Sequence, residues 1–437
     1  MTIHFAYMDE YKPILTEDFL QYIWRTQKYD HENLFCTTGE SLDVLQPGTM
    51  NRDQGPDFID SRLRIGGQLW AGMVEVHVRS SDWKKHGHQD NPDYLNVILH
   101  VVYEDDEPVM DPYGEKVPTL ILKERIDHSI LETYRHLSSY DYEMIPCEKL
   151  IHTVSRLNIT SWKERMAVER LEERQEQIED IFNFSNKSFQ ETLFKLLFRA
   201  FGFSKNSTAF EWLANTLQFK IVGKYLDQKL KLESLLYGQA GMLTPELKDE
   251  YPQKLRAEYE FLAEKYQLEP IDRAVWNYAR MRPQNFPTIR ISQLADFLHR
   301  HGETLMYSLD WLELIDQMEC AASPYWNDHY RFDVKSRQVR EKKLGKNSRD
   351  LIFINVLVPF LFFVGQKKND NEIKSKALTI LENLSAESNR IIRIWDKLDV
   401  KSEHALDSQA LLYLYRSYCM ERKCAQCRIG QAILLKS

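Results

Sequence analysis

Two acidic residues in the N-terminal part of the chain are spaced so that they can act together. Asp57 stands at the start of an alternating apolar and polar segment, Phe58–Ile65. Glu75 lies in the later half of the next such segment, Gln68–Val78, and the Gly66-Gly67 pair between them is typical of a hairpin turn. Because hairpin strands run in opposite directions, the start of the first lies beside the later part of the second. Asp57 and Glu75 are therefore predicted to converge.

Such a pair of carboxylates suits Mg²⁺ or Mn²⁺, because these ions take oxygen ligands. An ion held there would activate water and neutralise the charge that develops on a phosphate. His77 lies two residues after Glu75, so it shares a strand face with it and is the third candidate catalytic residue. The alternative is structural: Asp57 only forms a turn, and Glu75 pairs with Arg79.

Histidines are concentrated next to these carboxylates. The candidates for a supporting role around the first site are Asp82, His86, His88 and His100. Together with His77 they suit a second metal site of His/Asp type, or a proton relay around the first. A polar rim of hydrogen-bonded side chains is the alternative. A zinc hydrolase that uses these histidines on a smaller substrate is a further functional possibility.

A second group of metal-binding residue types lies at the C-terminus. Cys419, Cys424 and Cys427 have C-x4-C-x2-C spacing, and the C-x2-C half is a common metal-binding turn. A closed tetrahedral site needs a fourth ligand, for which Cys147 is the natural candidate. The four thiols suit Zn²⁺ or a [4Fe–4S] cluster, and spacing alone does not separate the two. The alternative is a set of unligated buried thiols.

The elements that must position the first site have the predicted order αβββαβ over residues 16–104. Thr16–Trp24 has the apolar spacing of an amphipathic helix, and Tyr94–Tyr103 is apolar enough for a strand that is buried on both faces. A short helical segment precedes that last strand. The other predicted strands are Ser41–Leu45, Phe58–Ile65 and Gln68–Val78.

Helical periodicity dominates after about residue 155. Ser161 and Glu164 have the spacing of a capping box, which predicts a helix that begins at Ser161. The sequence therefore predicts an α+β protein with one domain at 1–150 and a mostly helical domain at 151–437. The further predicted helices are Phe189–Phe201, Phe210–Leu217, Leu247–Tyr266, Ile291–His301, Leu305–Glu319, Leu351–Val364, Glu372–Leu384 and Ser408–Cys419.

Candidate phosphate contacts lie in both predicted domains. Residues 335–349 hold seven basic residues against one acidic residue, a net charge of +6 in a chain of net charge −8. A solvated loop has the same composition. The arginines at 280–290 can line a groove for nucleic acid or stabilise helix ends as buried groups. The candidate substrate-binding residues are Asn51, Lys84, Lys85, Arg282, Arg290, Lys342 and Lys343.

Composition narrows the class of protein. The chain has 437 residues, of which 43% are hydrophobic and 28% charged, as in ordinary globular proteins. No secretory signal is evident, and the apolar stretch Leu351–Val364 is too short for a membrane span, so we expect a cytoplasmic protein without a membrane partner. The absence of a P-loop, a Rossmann fingerprint and a nucleophile elbow argues against nucleotide hydrolysis and nicotinamide chemistry.

Two of the motifs resemble the PD-(D/E)xK nuclease superfamily. Pro56-Asp57 corresponds to its PD element, and Glu75-Val76-His77 corresponds to (D/E)xK with histidine in place of lysine. The resemblance implies a restriction-endonuclease-like core, a Mg²⁺ or Mn²⁺ ion on Asp57 and Glu75, and hydrolysis of DNA or RNA. Lys84 or Lys85 would supply the missing cation. Because that lysine is replaced, a catalytically inactive protein that binds nucleic acid or acts as a scaffold is the alternative.

Over most of its length the chain is similar to an uncharacterised family of Bacteroidetes proteins, the domain of unknown function 2851. That resemblance implies no activity. It rests on the motifs N-x-x-x-G-P-D-F, V-E-V-H, S-D-W-x-x-H-G-H, V-I-L-H-V-V and N-F-P-x-x-R, and on the C-terminal cysteines.

Overall fold

The computed structural model describes residues 15–51, 53–111, 113–139 and 144–436. The chain divides into two compact units. The first comprises Met1–Met166, Arg390–Lys401 and Leu411–Ser437, and the second comprises Ala167–Asn389 and Ser402–Ala410. The predicted division at residue 150 differs from this arrangement, because the cysteine-containing C-terminal segment belongs to the first unit.

The first unit is built around a mixed sheet whose strand order is β1-β3-β4-β5-β6, with β2 paired to β3. Strand β3 pairs antiparallel with β1, β2 and β4, whereas β5 pairs parallel with β4 and β6. The elements are α1 Glu17–Thr26, β1 Leu42–Gln46, β2 Thr49–Met50, β3 Phe58–Ile65, β4 Gln68–Arg79, α2 Asp82–Lys85, β5 Val97–Glu104, β6 Thr119–Ile121 and α3 His128–Ser138.

Local sequence accounts for most of these elements. Thr16 caps α1, since its side chain accepts a hydrogen bond from the amide of Phe19, and the apolar face of the helix is buried. Residues Leu99–Val102 of β5 are buried on both faces, as the apolar run predicts. The predicted helix, strands, short helix and strand occur in the predicted order, and a further two-residue strand, β2, lies between β1 and β3. The α+β class is confirmed.

The rest of the chain is mostly helical. The later elements are α4 Arg156–Phe184, α5 Phe189–Phe201, α6 Phe203–Thr216, α7 Phe219–Val222, α8 Lys229–Gln239, α9 Glu250–Tyr266, α10 Pro287–Tyr307, α11 Leu314–Gln317, β7 His329–Arg331, β8 Val334–Lys335, α12 Lys346–Ile352, α13 Val358–Lys367, α14 Asn371–Asn383, α15 Arg390–Lys397, α16 Ala405–Leu414 and α17 Arg428–Leu434. Short π-helical turns, Phe353–Leu357 and Tyr415–Cys419, follow α12 and α16.

Two helix predictions were wrong at their ends. The helix predicted to begin at Ser161 begins at Arg156, because the Ser155 hydroxyl and carbonyl accept the first amides of α4. Ser161 lies inside the helix, where its hydroxyl accepts a hydrogen bond from Arg428. The helix predicted over 305–319 is interrupted after Tyr307, and only the short α11 follows.

The apolar stretch at Leu351–Val364 lies in one continuous helix, Lys346–Lys367. This is the one helix in the described part of the chain that is long and apolar enough to cross a membrane, and 78% of its most apolar window is buried inside the protein. Such burial is typical of a core helix in a soluble protein. The prediction of a buried helix is therefore confirmed.

Candidate metal centre

The hairpin of β3 and β4 brings Asp57 and Glu75 together. The pairing of Phe58 with Val74 places Asp57 opposite Glu75. The Asp57 amide donates to Glu75 Oε2 at 3.0 Å, and the Val76 amide donates to Asp57 Oδ2 at 3.0 Å. Each carboxylate is thus held by a backbone amide of the other's strand, and the convergence expected from the sequence is observed.

The second oxygen of Glu75 faces histidines. Glu75 Oε1 lies 3.4 Å from His77 Nε2 and 3.3 Å from His88 Nε2, and His77 Nε2 lies 3.1 Å from His86 Nδ1. Ligand nitrogens of the three imidazoles all lie within 4.8 Å of one another. Three imidazole nitrogens therefore lie together, and a carboxylate oxygen contacts two of these imidazoles.

The distances from Glu75 Oε1 to His77 and His88, and from His77 to His86, are 3.1 to 3.4 Å and are close to the spacing of neighbouring ligand atoms around a tetrahedral metal ion. Metal–nitrogen bonds of 2.0–2.1 Å place neighbouring ligand atoms about 3.3 Å apart. Imidazole donors suit zinc, iron, nickel and copper, whereas Mg²⁺ takes oxygen donors. The residues present thus fit a transition metal on Glu75, His77, His86 and His88 better than the predicted Mg²⁺ on Asp57 and Glu75.

Contacts behind the imidazoles fix their orientation. Nδ1 of His77 lies 2.9 Å from Nε2 of His100, a residue on the parallel neighbour β5. The His88 ring stacks on Tyr94 with 3.8 Å between centroids. Trp83 is fully buried and meets the edges or tilted faces of His88, Tyr94 and His100. If His77 Nε2 bound a metal, Nδ1 would carry the ring proton and donate a hydrogen bond to Nε2 of His100.

Without a metal, the low polarity of the site favours uncharged side chains. Burial and the neighbouring Glu75 raise the pKa of Asp57 to about 7, and burial raises the pKa of Glu75 to about 8. Burial, followed by the adjacent imidazoles, lowers the pKa of His77 to about 2. Burial likewise lowers the pKa of His88. A bound dication would favour the carboxylates and neutral imidazoles that its ligation requires.

Several residues near the site that were predicted to bind substrate or support the metal make hydrogen bonds or ion pairs within the protein instead. Asn51 shapes the loop before β3, since its amide nitrogen donates to Pro56 O at 3.0 Å. Asp82 accepts hydrogen bonds from the Arg79 amide and from Lys85. Lys84 pairs with Glu107. Glu75 does not pair with Arg79, whose guanidinium lies 3.9 Å from Glu104.

Four candidate substrate-binding residues lie in the second unit, where two of them are buried. The Arg290 guanidinium donates to Gln293 and Asn285, and the Lys342 ammonium donates to the carbonyls of Trp326 and Asn327. Their donors are used inside the protein, which corrects their assignment as phosphate contacts. Arg282 and Lys343 are exposed, and Lys343 lies 3.7 Å from Glu341. The basic stretch therefore contributes fewer free surface cations than its sequence suggests.

The site also uses residues that sequence reasoning missed. Gln21 of α1 donates to Asp57 Oδ1 at 2.8 Å and holds that carboxylate from the side opposite β4. Tyr94 and Trp83 support the imidazoles. A single glutamine in an amphipathic helix has no signal of its own, but the aromatic residues between the histidines and β5 were visible in the sequence.

We expect His100 to lower the stability of the metal-free protein as the pH falls. Burial lowers the pKa of His100 to about 3. Between that value and its ordinary pKa, the unfolded chain binds a proton that the folded chain does not, so stability from this group is lost as pH falls. The unfolding free energy of the wild type minus that of His100→Gln should fall by about 1.4 kcal/mol per pH unit below about pH 6.5.

Urea denaturation of both proteins in the presence of a chelator measures this difference. Asp57 and Glu75, whose raised pKa values contribute the opposite slope, are common to both proteins and cancel to first order. His128→Gln, at an exposed histidine, is the control. A difference that does not vary with pH would show that His100 is not held neutral.

Comparison with known proteins gives one match. The sequence profile of a family described as "Protein of unknown function (DUF2851)" matches residues 17–390. No curated protein and no solved structure matches the chain. The match includes the carboxylates and histidines described above and ends before the C-terminal cysteines. The family resemblance is thereby confirmed, whereas the Bacteroidetes origin and the nuclease-like core stay predictions.

Proposed function

We propose that this chain, which belongs to the DUF2851 family of proteins of unknown function, is a metal-dependent hydrolase of phosphodiester bonds. The observation that carries the proposal is the histidine trio, whose His77 and His86 nitrogens lie 3.1 Å apart, with Glu75 Oε1 at 3.4 Å from His77 and 3.3 Å from His88. Three neighbouring imidazoles with a carboxylate beside two of them, all buried except His86, suit a dication.

The proposed ligands are Glu75, His77, His86 and His88. A divalent transition metal bound there supplies Lewis-acid polarisation of a phosphoryl oxygen and a lowered pKa for bound water. His86 is exposed while the other ligands are buried, so the site opens to solvent and substrate on the His86 side.

Asp57 is the proposed proton acceptor for the attacking water. Its carboxylate is half-buried beside Glu75 and is oriented by Gln21 and the Val76 amide. Each of its oxygens keeps a further lone pair for the water. The Asp57 amide meanwhile holds Glu75 Oε2, so that Oε1 is directed at the imidazoles.

The phosphodiester substrate is supported by the resemblance to PD-(D/E)xK nucleases. The elements α1, β1, β3, β4, α2 and β5 are compatible with the order of a restriction-endonuclease-like core, with the two-residue strand β2 added between β1 and β3. Asp57 and Glu75 occupy the two acidic positions of the motif. His77 takes the lysine position, and its Nε2 faces the same point as Glu75 Oε1. DNA or RNA is accordingly the proposed substrate class.

A second candidate function is a catalytically inactive protein that binds nucleic acid. The observation that favours it is the pairing of cations near the site. Arg79, Lys84 and Lys85 lie 3.9, 3.1 and 2.6 Å from the carboxylates of Glu104, Glu107 and Asp82. None of these three cations therefore replaces the missing lysine in this arrangement.

Metal reloading separates the two functions. Purified protein is stripped with a chelator and reloaded with Mn²⁺, Zn²⁺, Fe²⁺ or Mg²⁺, then assayed on plasmid DNA, single-stranded DNA, RNA and a chromogenic phosphodiester. We expect hydrolysis to disappear with the metal and to return with a transition metal more fully than with Mg²⁺. Metal binding without hydrolysis of any substrate supports the inactive nucleic-acid-binding protein. Failure to bind any of these ions in equilibrium dialysis overturns the metal centre itself.

A further inference from the structure

The C-terminal cysteines lie in one buried place in the first unit. Cys419 ends the π-helical turn after α16, Cys424 and Cys427 lie in the turns before α17, and Cys147 lies before the 3-10 helix Ile151–Thr153. All four are free thiols and are at most 8% exposed.

The four thiols affect one another electrostatically. Burial raises the pKa of Cys419 well above its ordinary value, and the other three thiols each raise it further. Arg422 has the opposite effect on Cys419 and Cys424. Cys147, which is far away in sequence, lies near the three C-terminal cysteines, because the 3-10 helix Ile151–Thr153 that follows it contacts α17.

Hydrogen-bond donors surround Cys427. Burial raises the pKa of the Cys427 thiol to about 11, whereas the nearby amides of Gly430 and Ile429 and the indole of Trp162 lower it. The indole nitrogen of Trp162 is buried without a hydrogen-bond partner among the described residues. Donors of this kind stabilise a thiolate far more than a neutral thiol. They are thus placed for a deprotonated, metal-bound sulfur.

The backbone around the cysteines is tightly wound. The amide of Cys427 donates to Lys423 O at 3.0 Å, and the amide of Lys423 donates to Tyr418 O at 2.9 Å. A Cβ atom at Gly430 would lie 2.2 Å from the carbonyl oxygen of Cys424, so only glycine fits there. The turns therefore fix the backbone that carries the three C-terminal thiols.

We propose that Cys147, Cys419, Cys424 and Cys427 bind a thiophilic metal centre that fastens the C-terminal segment onto the first unit. That segment contacts the elements around the catalytic sheet. The Cys424 thiol lies 3.6 Å from Leu137 O of α3, and the Tyr22 hydroxyl of α1 donates to Gln431 O at 3.2 Å. Since α1 also carries Gln21, the centre stabilises the helix that orients Asp57.

The spacing of the sulfurs bears on the identity of the metal. Within the described ranges, the one group of three or more such donors that lie within 4.8 Å of one another is the histidine trio. The sulfurs are therefore more widely spread than the edge of about 3.8 Å that a single tetrahedral zinc ion requires. An iron–sulfur cluster accepts wider spacing because its thiolates bind different iron ions. A zinc ion would draw the thiols inward.

Metal analysis of the full chain, purified without oxygen, tests the proposal. We expect zinc, or iron with acid-labile sulfide, that an organomercurial thiol reagent releases and that Glu75→Gln retains. Release by the thiol reagent identifies thiolate ligands and excludes the histidine site. Iron with sulfide identifies a cluster, and zinc alone identifies a mononuclear site. Wild-type protein that carries neither metal in thiol-releasable form overturns the proposal.

Cysteine variants provide the second arm. Cys424→Ser and Cys427→Ser are expected to lose this metal at least tenfold relative to wild type. Cys36→Ser, at a buried cysteine of the same unit outside the cluster, is the matched control and should retain it. Equal metal content in Cys427→Ser and Cys36→Ser would also overturn the assignment. If the cluster variants fail to fold, the release experiment on wild-type protein decides alone.

Discussion

Glu75→Gln is expected to abolish tight metal binding at the histidine cluster and to lower phosphodiester hydrolysis by roughly a thousandfold. Removal of the one anionic ligand leaves three neutral imidazoles, and a metal's contribution of several kcal/mol to the transition state, about 4 kcal/mol here, corresponds to that factor. Calorimetric titration with Mn²⁺ or Zn²⁺ measures the first effect. Turnover on the best substrate of the panel measures the second.

The substitution preserves the structure around the site. A glutamine side-chain oxygen can still accept the Asp57 amide that Glu75 Oε2 accepts now. Burial already favours the uncharged form of this carboxyl, so the stability of metal-free protein should change little. Glu104→Gln is the control, because Glu104 ends β5 and pairs with Lys123 at the surface. Metal affinity that Glu75→Gln leaves unchanged would remove Glu75 from the ligand set.

Trp83→Ala is expected to destabilise the first unit by roughly 3–5 kcal/mol, as large-to-small changes of buried tryptophan do. The side chain has no exposed surface and packs in a cluster with Tyr94, Val109 and Val117. It also contacts the rings of His88 and His100, with centroids 5.4 and 5.3 Å away. We therefore expect weaker metal binding as well, because His88 loses the aromatic contact that orients its ring.

Urea denaturation with and without metal measures both effects. Trp212→Ala is the matched control, since Trp212 is 50% exposed and should cost well under half as much. Trp83→Phe keeps an aromatic ring and should recover most of the metal affinity at an intermediate stability. If Trp83→Ala lost stability but bound metal with wild-type affinity, the tryptophan would be a core residue without a part in positioning His88.

Much of the site followed from local patterns. The alternation of residues 58–65 and 68–78 around a two-glycine turn predicts the hairpin, in which Ile65 pairs with Gln68. A register shift between Phe58 and Ser61 then brings Asp57 opposite Glu75 rather than Val76. The apolar run around His100 predicts a buried strand, and the amphipathic spacing at 16–24 predicts α1. These inferences succeed because strand and helix periods are short, so a few neighbouring residues determine which face is buried.

Patterns that depend on composition were less reliable. Lys342 and Arg290 contribute to basic stretches in the sequence, yet the fold buries both and satisfies their donors with backbone and side-chain oxygens. A charge count does not reveal which cations face solvent. The spacing of Ser161 and Glu164 likewise fits a capping box, but the hydroxyl of Ser155 is the group that accepts an amide of the first turn of α4. Competing caps differ by small free energies, and tertiary packing selects between them.

By itself, the sequence determined the α+β class, the hairpin that brings Asp57 near Glu75 and the clustering of histidines nearby. Only the tertiary structure decided which carboxylate oxygens and imidazole nitrogens lie together. It directs Glu75 Oε1 toward His77 and His88. The Asp57 carboxylate instead accepts hydrogen bonds from Gln21 and the Val76 amide. The reason is physical: His86 and His88 lie on short irregular turns between β4 and β5, where no repeating pattern fixes the direction of a side chain. Packing against Trp83 and Tyr94 sets that direction, and with it the change from an oxygen-rich pair to a histidine-rich site.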